Sequence, residues 1–188
     1  MRVMVATKNP DKAAEVVAVL RRVLPGIEPV EGLDWPDVEE TGSSLEENAV
    51  IKARAVAFHT GHPAVADDTG LEVDALGGAP GVRTARFAGD DATYEDNRRA
   101  LLSAMAGRTD RTARFRTVVA FVEPSGEVVV AEGVLEGSIA LEARGDGGFG
   151  YDPVFEVDGR TLAEIGVTEK NRISHRARAL EALAAHLR

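Results

Sequence analysis

The sequence predicts an α/β domain with a mixed sheet. Short apolar, β-branched runs alternate with segments of helical periodicity from the first residues onward. One pair of strand-like runs, Arg114 to Val122 and Glu127 to Leu135, is joined through Pro124-Ser125-Gly126, a hairpin signal. No repeat, low-complexity tract or linker divides the chain, so residues 1–188 are expected to form one domain with a well-buried core and room for two lobes.

The elements follow in order. Val3 to Ala6 reads as a buried strand, which Asn9-Pro10 breaks, and Pro suits the first turn of a helix. Ala13, Val16, Val17, Leu20, Val23 and Leu24 then recur at helical spacing until Pro25-Gly26. Backbone N–H groups at such a helix start favour an anion in the preceding loop, with Lys8 and Lys12 flanking it. The loop lacks the GxxxxGK[ST] spacing and is not a P-loop. Residues 27–43 read as acidic and irregular, ending in Glu39-Glu40-Thr41-Gly42. Ser44 to Glu47 matches a capping box, in which Glu47 reaches back to Ser44. That leaves Glu39 and Glu40 available for chemistry. The helix continues through Asn48, Lys52 and Val56 to Gly61-His62-Pro63.

Ala64 to Ala66 reads as a buried strand, and Leu71, Val73 and Ala75 alternate with Glu72 and Asp74 as a half-exposed one. Asp67 and Asp68 sit at the break, followed by Thr69-Gly70. They are either a surface turn or a functional pair, because a buried carboxylate is costly unless paired, hydrogen-bonded or on a metal. Gly77 to Gly81 is too rich in glycine for helix or strand. A helix is expected over about 94–105, with Ala100, Leu101 and Met105 inward. Arg114 and Arg116 alternate with Phe115 and Thr117, which reads as a solvated strand face.

Gly145 to Pro153 combines glycines with two aromatics and two acids. It is either a turn whose aromatics fill the core or a ligand loop offering a ring to a base. Ser174 caps a last helix with Leu180, Leu183, Ala184 and Leu187 on its buried face. His175 and Arg176 occupy its first turn, where the helix dipole disfavours cations unless an anion shares the site.

The net charge of −9 argues against nucleic acid as a partner. In so acidic a chain, Thr7-Lys8-Asn9-Pro10-Asp11-Lys12 and Lys170-Asn171-Arg172 point instead to a small anion. Without cysteine there is no disulfide framework or thiolate site. No apolar run reaches the roughly 18 residues of a membrane span, and the apolar part of MRVMVAT is too short for a signal peptide. A soluble cytoplasmic protein without membrane partners is expected.

Five segments in order, TKNPDK, ETGSSLEENAVIKA, VADDTGLEVDALGGAPGVRTARFAG, GGFGYDPVF and EKNRISHRARAL, resemble the inosine triphosphate pyrophosphatase family. These are dITP/XTP pyrophosphatases that remove non-standard purine nucleotides from the nucleotide pool, and the resemblance covers nearly the whole chain. It implies a long central mixed β-sheet flanked by helices forming two lobes, with the active site in the cleft, and a homodimer. It implies hydrolysis of ITP, dITP and XTP to the monophosphate and pyrophosphate, with Mg2+ as cofactor. Asp68 would be general base and metal ligand, and Glu40 the second ligand, with Glu39 as the fallback. Thr7, Lys8, Asn9, Pro10, Asp11, Lys12 and Lys52 would hold the triphosphate, and Thr69 would touch substrate. Phe149, Gly150, Tyr151, Asp152, Lys170, His175 and Arg176 would surround the nucleoside. Asp67 is left as either a support for Asp68 or a turn residue. The alternatives are a related hydrolase of other modified nucleotides and a non-catalytic nucleotide-binding protein; intact Asp68, Glu40 and Lys12 argue against the latter.

Overall fold

The computed structural model describes residues 1–31 and 35–187; part of the acidic stretch, 32–34, lies outside them. The chain divides into two compact units. The first comprises Met1–Asp68, Thr117–Val134 and Ser174–Arg188, and the second Thr69–Arg116 and Leu135–Ile173. Among the described residues eight strands belong to a mixed sheet.

In the first unit β1 (Arg2–Val5) pairs in parallel with β2 (Glu28–Val30) and with the start of β3 (Ala64–Val73). Met4 lies opposite Ala64 and Val5 opposite Val65. The start of β6 (Val128–Ile139) and the end of β5 (Thr112–Val122) complete the order β2-β1-β3-β5-β6. The hairpin forms as expected, with the Gly126 N–H donating to the Glu123 carbonyl at 2.8 Å. Strand β2 was not expected. Three residues, one of them Pro29, carry no readable alternation, and Pro is at home on such an edge strand.

Three helices cover this part of the sheet: α1 (Pro10–Val23), α2 (Leu45–Thr60) and α5 (His175–His186). Neighbouring residues of a strand point to opposite faces. Accordingly, Val65, Val119 and Phe121 pack with Val16 and Leu20 of α1 and Leu180 and Leu183 of α5. Ala64, Ala66, Val118 and Ala120 pack with Ala49, Ala53 and Ala57 of α2. Helix α2 starts at Ser44 as expected, its side chain accepting from the Glu47 N–H at 3.1 Å. The Glu47 carboxylate, however, accepts mainly from Ser43, at 2.6 Å from its N–H and 2.9 Å from its hydroxyl, one residue earlier than the box predicted.

Strand β3 runs unbroken from Ala64 to Val73, which corrects the expected break. Asp67 and Asp68 lie mid-strand and buried, neither at a strand end nor in a surface turn.

In the second unit the remainder of β3, β5 and β6 is joined by β4 (Pro80–Gly81), antiparallel to β3. Strand β7 (Phe155–Val157) lies antiparallel to β6, and β8 (Arg160–Thr161) antiparallel to β7. The glycine-rich segment thus contributes a two-residue strand where only a loop was expected. Helix α3 (Tyr94–Ala104) buries Leu101, with Met105 at its end and Ala100 half-buried. Helix α4 (Val167–Ile173) escaped the sequence reading because its one buried residue is Lys170, so no apolar stripe marks it. The core joins Leu71, Val73, Leu101, Phe115, Phe155 and Leu162, with the Phe115 and Phe155 ring centroids 4.6 Å apart. Arg114 and Arg116 do not simply face solvent. Arg114 pairs with Asp74 at 3.0 Å and Glu136 at 3.2 Å, and Arg116 with Glu72 at 3.0 Å.

Strand and helix of the first unit approach closely at Gly133. A Cβ there would lie 2.2 Å from the His175 carbonyl oxygen and 2.3 Å from the Ala179 nitrogen. Backbone on both sides leaves nothing to yield. Gly133→Ala is therefore expected to destabilise the protein by about 1–3 kcal/mol, read as a lower urea midpoint at unchanged slope.

Candidate active site

Alternation along β3 sends the two adjacent acids to opposite faces. Asp68 shares the face of Ala64 and Ala66 and meets α2. Asn48 Nδ2 donates to Asp68 Oδ2 at 3.3 Å, and Lys52 Nζ lies 3.4 Å from Asp68 Oδ1. Asn48 and Lys52 are four residues apart, hence on one side of the helix. The same Lys52 ammonium pairs with Glu40 Oε1 at 3.2 Å. The segment bearing Glu40 is fastened just beyond it, where the Gly42 N–H donates to Asn48 Oδ1 at 2.8 Å. Residue 42 must be glycine, since a Cβ would sit 2.6 Å from that oxygen.

Burial pushes the Asp68 carboxyl up, against the pull of Lys52 and Lys12, and Glu40 and Asp67 add to the rise. Burial pulls the Lys52 ammonium down, but Asp68, Asp67 and Glu40 outweigh it and raise it above the usual lysine value. Among the described residues no three acid or histidine side chains converge as a closed metal cage. Two carboxylates reaching toward one positive charge are nevertheless the oxygen donors that a hard divalent cation takes.

Asp67 shares the face of Val65 and meets α1 and α5. Its Oδ2 accepts from Arg176 Nε at 3.2 Å and Nη2 at 3.1 Å, and Lys12 Nζ lies 3.7 Å away. Arg176 Nη1 donates to Glu15, itself buried on α1. Although burial opposes its charge, Lys12, Arg176 and Lys52 hold Asp67 well below the usual carboxylate range. The anion expected beside the cations of the α5 start is therefore the protein's own. Three guanidinium nitrogens of Arg176 each bond a carboxylate, so it is first a buried counter-ion. His175 is also buried, its Nδ1 2.6 Å from Thr117 Oγ1.

The first turn of α1 differs from expectation. Asn9 Oδ1 accepts from the Asp11 N–H at 3.0 Å and the Lys12 N–H at 3.2 Å, while the Asn9 carbonyl takes the Ala13 N–H at 3.0 Å. Pro10 has no N–H. The cap thus occupies the donors predicted to face an anion, which leaves attraction to side-chain cations. Thr7 Oγ1 accepts from the Asn9 N–H at 3.2 Å, and Lys8 pairs with Asp37 on the surface.

In the second unit, which begins at Thr69, Asp152 organises the glycine-rich loop. Its Oδ2 accepts from the Phe149 N–H at 2.9 Å and from Lys170 Nζ at 2.6 Å. Lys170 Nζ also stands 4.6 Å from the centroid of the half-buried Phe149 ring. Gly148 is held at φ +70°, and a Cβ on it would fall 2.0 Å from Asp152 Oδ2. The Gly150 carbonyl accepts from Arg98 of α3 at 2.9 Å. Tyr151, one of the residues expected around the nucleoside, takes the core position that the other reading gave the loop's aromatics. It is 5 % exposed within the core, and its hydroxyl donates to the Thr84 carbonyl.

Sequence reasoning missed Glu15, Asn48 and Thr117. The first two left a signal: Glu15 stands four residues before the buried Val19, and Asn48 one turn before Lys52. Thr117 left none, since threonine is ordinary in a strand.

On a mixed α/β sheet, buried acids each tied to lysine or arginine make a strongly charged site. The Ham1 family model matches residues 3–186, and the chain belongs to that family. It is 48% identical to a dITP/XTP pyrophosphatase of Elusimicrobium minutum, each chain covered over 100% of its length. A dITP/XTP pyrophosphatase of Symbiobacterium thermophilum is 51% identical over 95% of this chain and 91% of that protein. A solved HAM1 protein from Coxiella burnetii superposes with a TM-score of 0.88 at 44% identity, covering 100% of this chain and 98% of the other. The Staphylococcus aureus Ham1 protein gives 0.87 at 37% identity, with the same coverage.

The pair between Lys170 and Asp152 has both side chains 5% exposed. Removing one partner of such a pair leaves a buried charge alone, at a cost of about 3–5 kcal/mol. Lys170→Met is expected to destabilise by that order in chemical denaturation. Adding Asp152→Asn in the same chain should recover a large part of the loss.

Proposed function

We propose that the protein is a Mg2+-dependent nucleoside triphosphate pyrophosphatase that converts ITP, dITP and XTP to the monophosphate and pyrophosphate. The observation that carries this is Asp68, buried in β3 between Asn48 and Lys52 with Glu40 on the same ammonium. The names of the relatives support the substrate class.

Lys12 and Lys52, with Thr7, are assigned to the β and γ phosphates, whose negative charge needs cations rather than the α1 N–H groups. Glu40 and Asp68 would hold the metal, which when bound supplies charge neutralisation at the phosphates. Asp68, buried in β3, is assigned to take a proton from the water that attacks phosphorus. Lys170 is assigned as a donor to the 6-oxygen of the purine, with Phe149 as stacking face. A pocket donor aimed at that oxygen is opposed by the 6-amino group of adenine, which disfavours ATP. A homodimer in the cytoplasm is the assembly and place that the family resemblance implies. The net charge of −9 supports a free nucleotide rather than nucleic acid as substrate.

Asp68→Asn is expected to abolish turnover of ITP while leaving folding and nucleotide binding, measured by calorimetry, largely intact. Wild-type turnover in this variant would move the base elsewhere.

The leaving group tests the orientation. If lysines hold the outer phosphates, water attacks the α-phosphorus and pyrophosphate departs whole. Hydrolysis of ITP in ¹⁸O-labelled water should then put label in IMP and none in pyrophosphate. Label in orthophosphate, with IDP accumulating, would overturn the assignment.

A further inference from the structure

We infer that Asp67 is a positioning residue for the phosphate grip, acting through Lys12. The inference rests on the assignment of Lys12 to the outer phosphates and concerns a residue that plays no part in the proposed proton transfer. Lys12 projects from the first turn of α1, where Asn9 fixes the backbone. Its side chain is 23% exposed, whereas that of Asp67 beneath it is 1% exposed. The lysine thus spans from a buried carboxylate, 3.7 Å from its ammonium, to the surface.

Asp67 is itself held still. Two N–H groups of Arg176 bind one of its oxygens, and Glu15 holds Arg176 from the α1 side. A carboxylate fixed by a bidentate guanidinium is a rigid anchor, and a lysine is a flexible chain with much rotamer freedom to lose. Anchoring the ammonium before the ligand arrives removes part of that loss from binding. Asp68 cannot serve this purpose, because alternation turns it to the α2 face.

The test uses inorganic pyrophosphate with Mg2+ as the probe, with affinity measured by calorimetry on the full chain. Lys12→Met should weaken binding about tenfold or more, the loss typical of one charge-assisted contact. Asp67→Asn should weaken it about fivefold or more with Lys12 present and less than about twofold in the Lys12→Met background, since coupled residues are not additive. Should Asp67→Asn fail to fold, Asp67→Glu keeps the charge but displaces it, and the same loss and the same dependence on Lys12 are expected.

An equal loss in both backgrounds, or no loss with Lys12 present, would overturn the inference while the grip by Lys12 stands. No effect of Lys12→Met would overturn both.

Discussion

The period of two along a β-strand is the constraint on which the first unit depends. Asp67 and Asp68 are adjacent in sequence, so β3 must send one to each face of the sheet. Each is buried where a bare carboxylate would be ruinous, and each face therefore supplies its own cations. On the α2 face these come from a helix that packs Ala49, Ala53 and Ala57 against the sheet, which leaves room for Asn48 and Lys52 to reach the strand. On the other face they come from the starts of α1 and α5. A slip of β3 by one residue would exchange the two acids between these surroundings and strand both.

That constraint explains what was legible in the sequence. Helices α1, α2 and α5 were visible because each has a polar cap and an apolar stripe. Strand β2 and helix α4 were not, being three and seven residues long without a pattern to read. The acids themselves stood out, but the break assumed at them did not exist: a buried ion pair reads in sequence like a turn. Their partners were beyond local reasoning. Arg176 lies 109 positions from Asp67, and Asn48 lies 20 from Asp68. The assignment of separate roles to the motif residues came from the family resemblance, and the geometry adds the pairings.

The glycine-rich loop shows a different mixture. Tyr151 fills the core, as one of the two expectations had it, while Phe149 keeps a half-buried ring beside Lys170. Periodicity could not separate two aromatics two residues apart in an irregular turn. Their fates are decided by Asp152, whose carboxylate takes the Phe149 N–H and the Lys170 ammonium together. Gly148 makes room for that carboxylate, so the glycines serve side-chain packing as well as turn geometry.

The two faces of β3 also differ in charge, which bears on where a metal would go. On the α1 and α5 side Glu15 and Asp67 are matched by Lys12 and Arg176, and the set is neutral. On the α2 side Glu40 and Asp68 both pair with Lys52, and these three groups carry one negative charge in excess. The excess is one reason that burial and Glu40 together raise Asp68 while Asp67 is held low. On charge alone, the α2 side would suit the proposed divalent cation better than the other side. If Asp68 and Glu40 hold that cation, the surplus that draws Lys52 inward would fall, and its ammonium would be held less firmly. The neutral set offers no such release to Lys12. On the proposed function, alternation along β3 would thus give one lysine released by the cation and one fixed by Asp67.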